Sequence, residues 1–286
     1  MLHIVSDTST LTTPSQAPQQ GFYSVPLEVT IGNESYADYE GITPTKLVER
    51  IRQGAIPSSS QPTPSRKLDL YNELLKNPDD EVLDISIGNG LSGTYTSACM
   101  MKDLCDDPNR VHVYNSKTLC GPQKAMVQAA VKMRDEGASV DEIISHLDEM
   151  IKTHHSSILV RDFDFLLRGG RVNAASAMAG KALKLVPVAV LNETGESLSI
   201  VGTTRTICKA FSKIKEEIEK KLDLGTGKGY TIYLSHGDDE DIANKAVTWF
   251  QKVWPEARFE VNELCPMFIV HGGPGCLSVQ VIKTEM

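Results

Sequence analysis

Val82-Leu83-Asp84-Ile85-Ser86-Ile87 is an apolar run that reads as a buried strand. Two residues further on comes Gly90-Leu91-Ser92-Gly93-Thr94, and then Tyr95-Thr96-Ser97-Ala98-Cys99-Met100-Met101, which reads as the first turns of a helix. A strand, a glycine-rich turn and a helix in that order gather backbone N–H donors at the helix N-terminus, where the dipole favours an anion. Gly90 and Gly93 permit positive φ and close approach to the backbone. Ser92 and Thr94 add hydroxyls for the same oxygens. A plain tight connection explains the stretch equally well, because glycine punctuates most loops.

Working outward, the same alternation recurs. Leu2-His3-Ile4-Val5 is a short strand leading into Ser6-Asp7-Thr8-Ser9-Thr10, and Phe22 to Ile31 is a second extended region turned by Gly32-Asn33-Glu34. Thr43-Pro44 and Thr63-Pro64 each open a helix. Between them, Ile56 to Pro62 is too polar for a strand and too proline-rich for a helix. Val111 to Tyr114 is a strand, Pro122 starts a long helix stopped by Gly137, and Ser139 with Glu142 forms a capping box. The alternation predicts a doubly wound, mostly parallel α/β sheet over residues 1–156.

From 157 to 286 the pattern predicts a second, mixed α/β domain. Ser156 to Val160 is a strand, Asn173 caps an alanine-rich helix to about Lys184, and Leu185–Leu191 with Ser197–Val201 makes a hairpin. Pro187 marks an edge or a strand start. A long helix from near Arg205 to Leu222, strands at 230–234, 259–261 and 277–281, and a helix from Asp239 complete the chain.

Totals narrow the function. With 286 residues there is room for two domains and an enclosed pocket. Lys plus Arg number 29 against 37 Asp plus Glu, net −8, which argues against nucleic acid as partner. No apolar run is long enough to cross a bilayer, and the N-terminus lacks a signal peptide. The six scattered cysteines then read as reduced thiols in the cytoplasm, with no metal-ligand spacing.

Three hydroxyl-bearing loops, Ser6-Asp7-Thr8, Ser59-Ser60-Gln61 and Ser92-Gly93-Thr94, would gather at the carboxyl edge of a doubly wound sheet and suit a carboxylate or phosphate. Asp7 alone reads more simply as a cap. In His271-Gly272-Gly273-Pro274-Gly275 the turn leaves an imidazole free, or holds a structural one. His236 fits a capping role, and His154-His155 a polar surface turn. The acids Asp238 to Asp241 suit a helix dipole more than a cation. Arg205 stands where a hairpin meets a helix and either neutralises an anion or is solvated. Ser92, His271 and Asp7 would be the triad of a serine acyl hydrolase, although the elbow's final glycine is missing. A small-anion or sugar-binding module is a third reading. No nucleotide-binding fingerprint occurs.

Taken together, Ser6-Asp7-Thr8-Ser9, Ser59-Ser60-Gln61-Pro62-Thr63, Gly90-Leu91-Ser92-Gly93-Thr94-Tyr95, Gly169-Gly170-Arg171-Val172 and His271-Gly272-Gly273-Pro274-Gly275 resemble, in order, five motifs of the DegV family of bacterial fatty acid-binding proteins. The resemblance covers essentially the whole chain. It implies two α/β domains with a long-chain fatty acid buried between them as ligand, no other cofactor and no metal. It further implies a carboxylate held by the hydroxyls of Ser59 and Ser92, with Ser60, Gly93, Thr94, Arg205 and His271 around the head group. The protein would be a carrier of phospholipid metabolism rather than a catalyst. It would present its ligand to the catalytic subunit of a fatty acid kinase, which makes the acyl phosphate, and a peripheral membrane contact is compatible with that role. Ser59 replaces the family's frequent Thr and Val186 its common Lys, a departure that touches a charged contact and not the fold. Burial of a long acyl chain, at about 0.8 kcal/mol per methylene, supplies roughly 10 kcal/mol before ordering costs.

Overall fold

The computed structural model describes residues 1–172 and 185–285. The helix expected from Asn173 to Lys184 lies outside the described residues. The strands are β1 (Leu2–Asp7), β2 (Tyr23–Val25), β3 (Glu28–Ile31), β4 (Glu34–Ala37), β5 (Pro57–Ser60), β6 (Glu81–Ser86), β7 (Val111–Asn115), β8 (His155–Leu159), β9 (Val186–Leu191), β10 (Leu198–Thr204), β11 (Tyr230–His236), β12 (Arg258–Glu263) and β13 (Leu277–Lys283). They form a four-stranded sheet β2-β1-β6-β7, a six-stranded sheet β10-β9-β8-β13-β11-β12 and a three-stranded sheet β4-β3-β5.

The first sheet is parallel throughout. Its residues alternate between two helical layers. Val5, Val82 and Val111 face the helices Pro64–Leu74 and Thr94–Leu104, whereas Ile4, Leu83 and Ile85 face Cys120–Asp135 and Val140–Met150. The doubly wound expectation therefore holds. The six-stranded sheet is mixed: β11 and β12 run parallel and its other neighbours antiparallel. One of its faces packs on the helices Ile207–Lys221 and Glu240–Phe250 through Phe211, Ile214, Phe250 and Trp254. Its other face packs on the helix Cys120–Asp135 through Tyr233 and Ile282, so that helix lies between the two sheets.

Several local expectations need correction. The extended region from Phe22 breaks at Pro26, which donates no hydrogen bond, so β2 and β3 join different sheets. Glu34–Ala37 is a further strand. Residues 57–60 are strand β5, paired to β3 as Glu28↔Ser60 through Ile31↔Pro57. An edge strand needs only backbone pairing on one side, so its serines and its leading proline are tolerated. Pro187 sits at the start of β9, which is flanked on both sides and is not an edge. His154 and His155 are buried, at 2 % and 5 % exposure, rather than on a surface turn. The Ser139–Glu142 capping box forms as expected.

The halves meet closely. A Cβ on Gly90 would lie 2.1 Å from the Glu196 Cα, and one on Gly121 would lie 2.1 Å from the Tyr233 ring. Neither Gly90 nor Gly93 adopts positive φ. Glycine is needed in this loop for proximity to Glu196 and to the Gln61 side chain, not for a left-handed turn.

Candidate functional site

Between the carboxyl edge of the four-stranded sheet and the six-stranded sheet lies a cavity of about 790 Å³, open solvent at its mouth included. Leu27, Ile87, Leu91 and Cys120 line it from the first half. Ile158, Leu166, Leu198, Leu264, Met267 and Phe268 line it from the second. These residues belong to one hydrophobic cluster that bridges the two halves. Burial drives the Cys120 thiol well above its ordinary pKa, which keeps it neutral and unreactive.

One end of this apolar space is polar. Ser59, at the end of β5, places its Oγ 2.7 Å from Nε2 of His271, in the last turn of the helix Pro266–Gly272. Ser60 lines the same end. Ser92 lies just ahead of the helix Thr94–Leu104, its Oγ 2.8 Å from Thr94 Oγ1 and accepting from Thr94 N at 3.4 Å. Thr94 is fully buried and Gly93 is the N-cap, so both shape the turn and neither lines the cavity.

Burial, with the Arg171 charge beside it, pushes the His271 imidazole down to about 4, so it is neutral at pH 7. Its Nδ1 is buried, has no partner among the described residues, and packs against Gly169, where a Cβ would approach to 2.4 Å. If Nε2 carries the proton, it donates to Ser59 Oγ and leaves the serine O–H to donate to a ligand.

Arg171 supplies the positive charge of this end. Its Nε donates to Leu91 O at 3.0 Å and its Nη1 to Gly169 O at 2.7 Å. Among the described residues its acceptors are neutral carbonyls, which leaves its charge for an anion. The sequence signal for Arg171 is the Gly169-Gly170-Arg171-Val172 motif, which places an arginine after two glycines without fixing where its side chain goes. Arg205 does not reach the cavity. Leu198, at the start of β10, lines it, and Arg205 follows the far end of that strand, roughly 20 Å along at about 3.3 Å per residue, and is exposed. Val186 packs beside the cluster of Phe211 and Ile214 and makes no contact with the cavity.

The Ser6-Asp7-Thr8 loop also stays out. All three residues are fully buried. Ser6 Oγ donates to Ile85 O at 2.6 Å, Asp7 accepts from the N–H groups of Ser9 and Ile87 at 3.1 and 3.0 Å, and Thr8 Oγ1 donates to Asp38 at 2.7 Å. Asp7 is thus a cap and a brace. The Ser92–His271–Asp7 triad is not assembled, because His271 pairs with Ser59 and Asp7 is spent elsewhere. His236 accepts from Asp239 N at 3.4 Å, and Asp239 caps the following helix. Among the described residues no His, Cys, Asp and Glu converge as a metal site, and no helix is long and apolar enough to cross a membrane.

A second, smaller pocket lies on the outer side of the Ser59–His271 pair. Ser58, Arg168, Arg171 and Gly169 line it, together with Ser59 and His271 themselves.

Comparison with known proteins places these features in a group. A profile described as an uncharacterised protein of the DegV family matches residues 1–284. A DegV domain-containing protein of Listeria innocua is 29 % identical over 280 residues, covering 96 % of each chain. Among solved structures, a DegV family protein of Thermus thermophilus described by its fatty acid binding is 29 % identical, with 99 % of each chain covered and a TM-score of 0.86. DegV of Bacillus subtilis, described as a fatty acid binding protein, is 26 % identical over 99 % of each chain, with a TM-score of 0.85.

Proposed function

This chain belongs to the DegV family, and we propose that it is a carrier that buries the tail of a long-chain fatty acid in the inter-sheet cavity and holds the carboxylate at its polar end. The carrying observation is that one apolar cavity ends on Ser59, Ser92, His271 and Arg171 together. The two halves, divided near residue 157, close over the tail. Each methylene transferred from water contributes about 0.8 kcal/mol, and each charge-assisted hydrogen bond to the carboxylate about 1.5–3 kcal/mol. A neutral imidazole suits this role, since it orients Ser59 without adding a buried charge.

The finer reading is presentation of that carboxylate, in the cytoplasm, to the catalytic subunit of a fatty acid kinase. A carboxylate oxygen would attack the γ-phosphorus of ATP, the bond to ADP would break, and an acyl phosphate would result. The small pocket with Arg168 and Arg171 on the outer side of Ser59 and His271 supports this, because it offers positive charge next to the reacting oxygen.

Mass spectrometry of an organic extract of natively purified protein tests the carrier reading. A long-chain fatty acid in near-stoichiometric amount is expected. Absence of any lipid, with no uptake of added fatty acid and stabilisation by small polar anions instead, would establish the anion-binding alternative. Formation of hydroxylamine-trappable acyl phosphate, with ATP and a kinase subunit present and not without them, tests the presentation step.

A further inference from the structure

Away from the head-group end the cavity wall does not remain wholly apolar. Ser156, Ser278 and Gln280 also line it and are 4 %, 7 % and 0 % exposed. In the ladder of β8 and β13, Ser156 opposes Gln280 and Ile158 opposes Ser278. Opposed residues, and residues two apart, share a sheet face, so the four side chains form one patch. Ile158 is its end nearest the head group: its Cδ1 lies 3.2 Å from where a Cβ on Gly272, the neighbour of His271, would be. Ser156 is two residues away, roughly 7 Å along the strand.

The hydrogen bonds of this patch are unevenly spent. Gln280 Nε2 donates to Leu119 O at 3.0 Å and to Ser156 Oγ at 2.9 Å, and its Oε1 accepts from Gly121 N at 3.2 Å. Ser156 Oγ is therefore an acceptor, and its own proton has no acceptor among the described residues. Ser278 Oγ gives its proton to Ser157 O at 3.3 Å and keeps lone pairs free. The wall thus shows one free donor and one free acceptor on diagonal positions, whose Cβ atoms are roughly 7 Å apart in such a ladder. Two O–H···O bonds end to end span roughly 5.5 Å. A single hydroxyl, which both donates and accepts, fits between them; a methylene satisfies neither.

We infer that the cavity prefers fatty acids that carry a hydroxyl partway along the tail, read by Ser156 and Ser278. The inference rests on the fatty acid reading and names the ligand class more narrowly. The test is displacement of a fluorescent fatty acid by stearate and by a series of positional monohydroxystearates. One interior isomer is expected to bind roughly five- to a hundredfold tighter than stearate, the worth of two neutral hydrogen bonds, with isomers near either end weaker than stearate. In Ser156→Ala the ratio of the two affinities falls to one or below, and Ser156→Thr retains the preference. Ser278→Ala provides the same readout if Ser156→Ala does not fold, as judged by its melting transition. If stearate displaces the probe and every isomer is equal or weaker, the inference is overturned and the carrier reading stands. If neither stearate nor any isomer displaces it, both fall.

Discussion

Ser59 Oγ and His271 Nε2 are 2.7 Å apart although 212 residues separate them in sequence. One residue ends an edge strand attached to the first half, and the other ends a short helix leading into the central strand of the second. Their contact closes the polar end of the cavity, so ligand affinity reports directly on how the halves meet.

Loss of single hydroxyls at that end is expected to weaken fatty acid binding without unfolding the chain. Ser59→Ala and Ser92→Ala should each raise Kd by roughly ten- to a hundredfold, the worth of one charge-assisted bond. Isothermal titration with a delipidated sample measures this. Unchanged, wild-type affinity in both variants would show that neither hydroxyl touches the carboxylate.

The two arginines give a sharper contrast. Arg171→Met should lose at least tenfold in affinity for the free acid while the methyl ester is little affected, because only the carboxylate meets the charge. Arg205→Ala should leave binding unchanged, since Arg205 is exposed and beyond the far end of β10. The opposite pattern would relocate the head group.

Stability of the first half depends on a buried ion pair. Lys67 Nζ donates to Asp84 Oδ2 at 2.6 Å and to Ser86 Oγ at 3.1 Å, and Tyr71 O–H donates to the same carboxylate. Lys67 and Asp84 are 2 % and 0 % exposed. Lys67→Met strands the carboxylate and should cost about 3–5 kcal/mol in urea unfolding. Adding Asp84→Leu should recover most of that loss, because no charge then remains unpaired.

Acid should destabilise the chain below neutrality. Burial lowers His154 to about 4, His155 to about 3 and His271 to about 4, against about 6.5 unfolded. Between pH 6.5 and 4 the unfolded state binds these protons and the folded state does not, so stability is present above 6.5 and is lost as pH falls. Asp38 opposes this. Burial raises it to about 6, so its contribution is present below pH 3.8 and lost as pH rises through 6. Asp7, also raised by burial, acts in the same direction. Glu263, raised by burial, joins them, whereas Asp80, Asp107 and Glu142, held low by hydrogen bonds, act with the three histidines, and the urea midpoint should fall with acidification. The double variant His154→Gln, His155→Gln should flatten or reverse that slope.

Close approach of the halves is tested at Gly90. With a Cβ 2.1 Å from the Glu196 Cα and 2.5 Å from its carbonyl oxygen, Gly90→Ala must push backbone from backbone. A loss of about 1–3 kcal/mol is expected, together with faster ligand release as the cavity loosens. Unchanged release would show that the loop moves independently of the turn.

Much of this molecule is written locally. The parallel sheet follows from alternating apolar runs and helix starts at Thr43, Thr63 and Ser139. The hairpin of β9 and β10 follows from the turn between them, and Ser92 ahead of a helix follows from the glycine-rich spacing. Those features depend on neighbours within a few residues, whose periodicity and capping chemistry a sequence displays. Strand β5 is not legible in sequence because its partner, β3, lies some thirty residues away and it has no alternating apolar face of its own. Two adjacent histidines, His154 and His155, look polar in sequence because only packing around the second sheet removes them from water.

Sequence by itself determined the strand–helix alternation of the first half, the two classes of sheet and the hydroxyl-bearing turn at Ser92. Tertiary structure alone decided which polar groups share the cavity. Asp7, Thr8 and Arg205 are turned away from it, and Arg171 and Ser156 are turned in. The physical reason is that a side chain's destination depends on the face its strand presents after the sheets pack, and that choice is made by contacts between residues far apart in the chain.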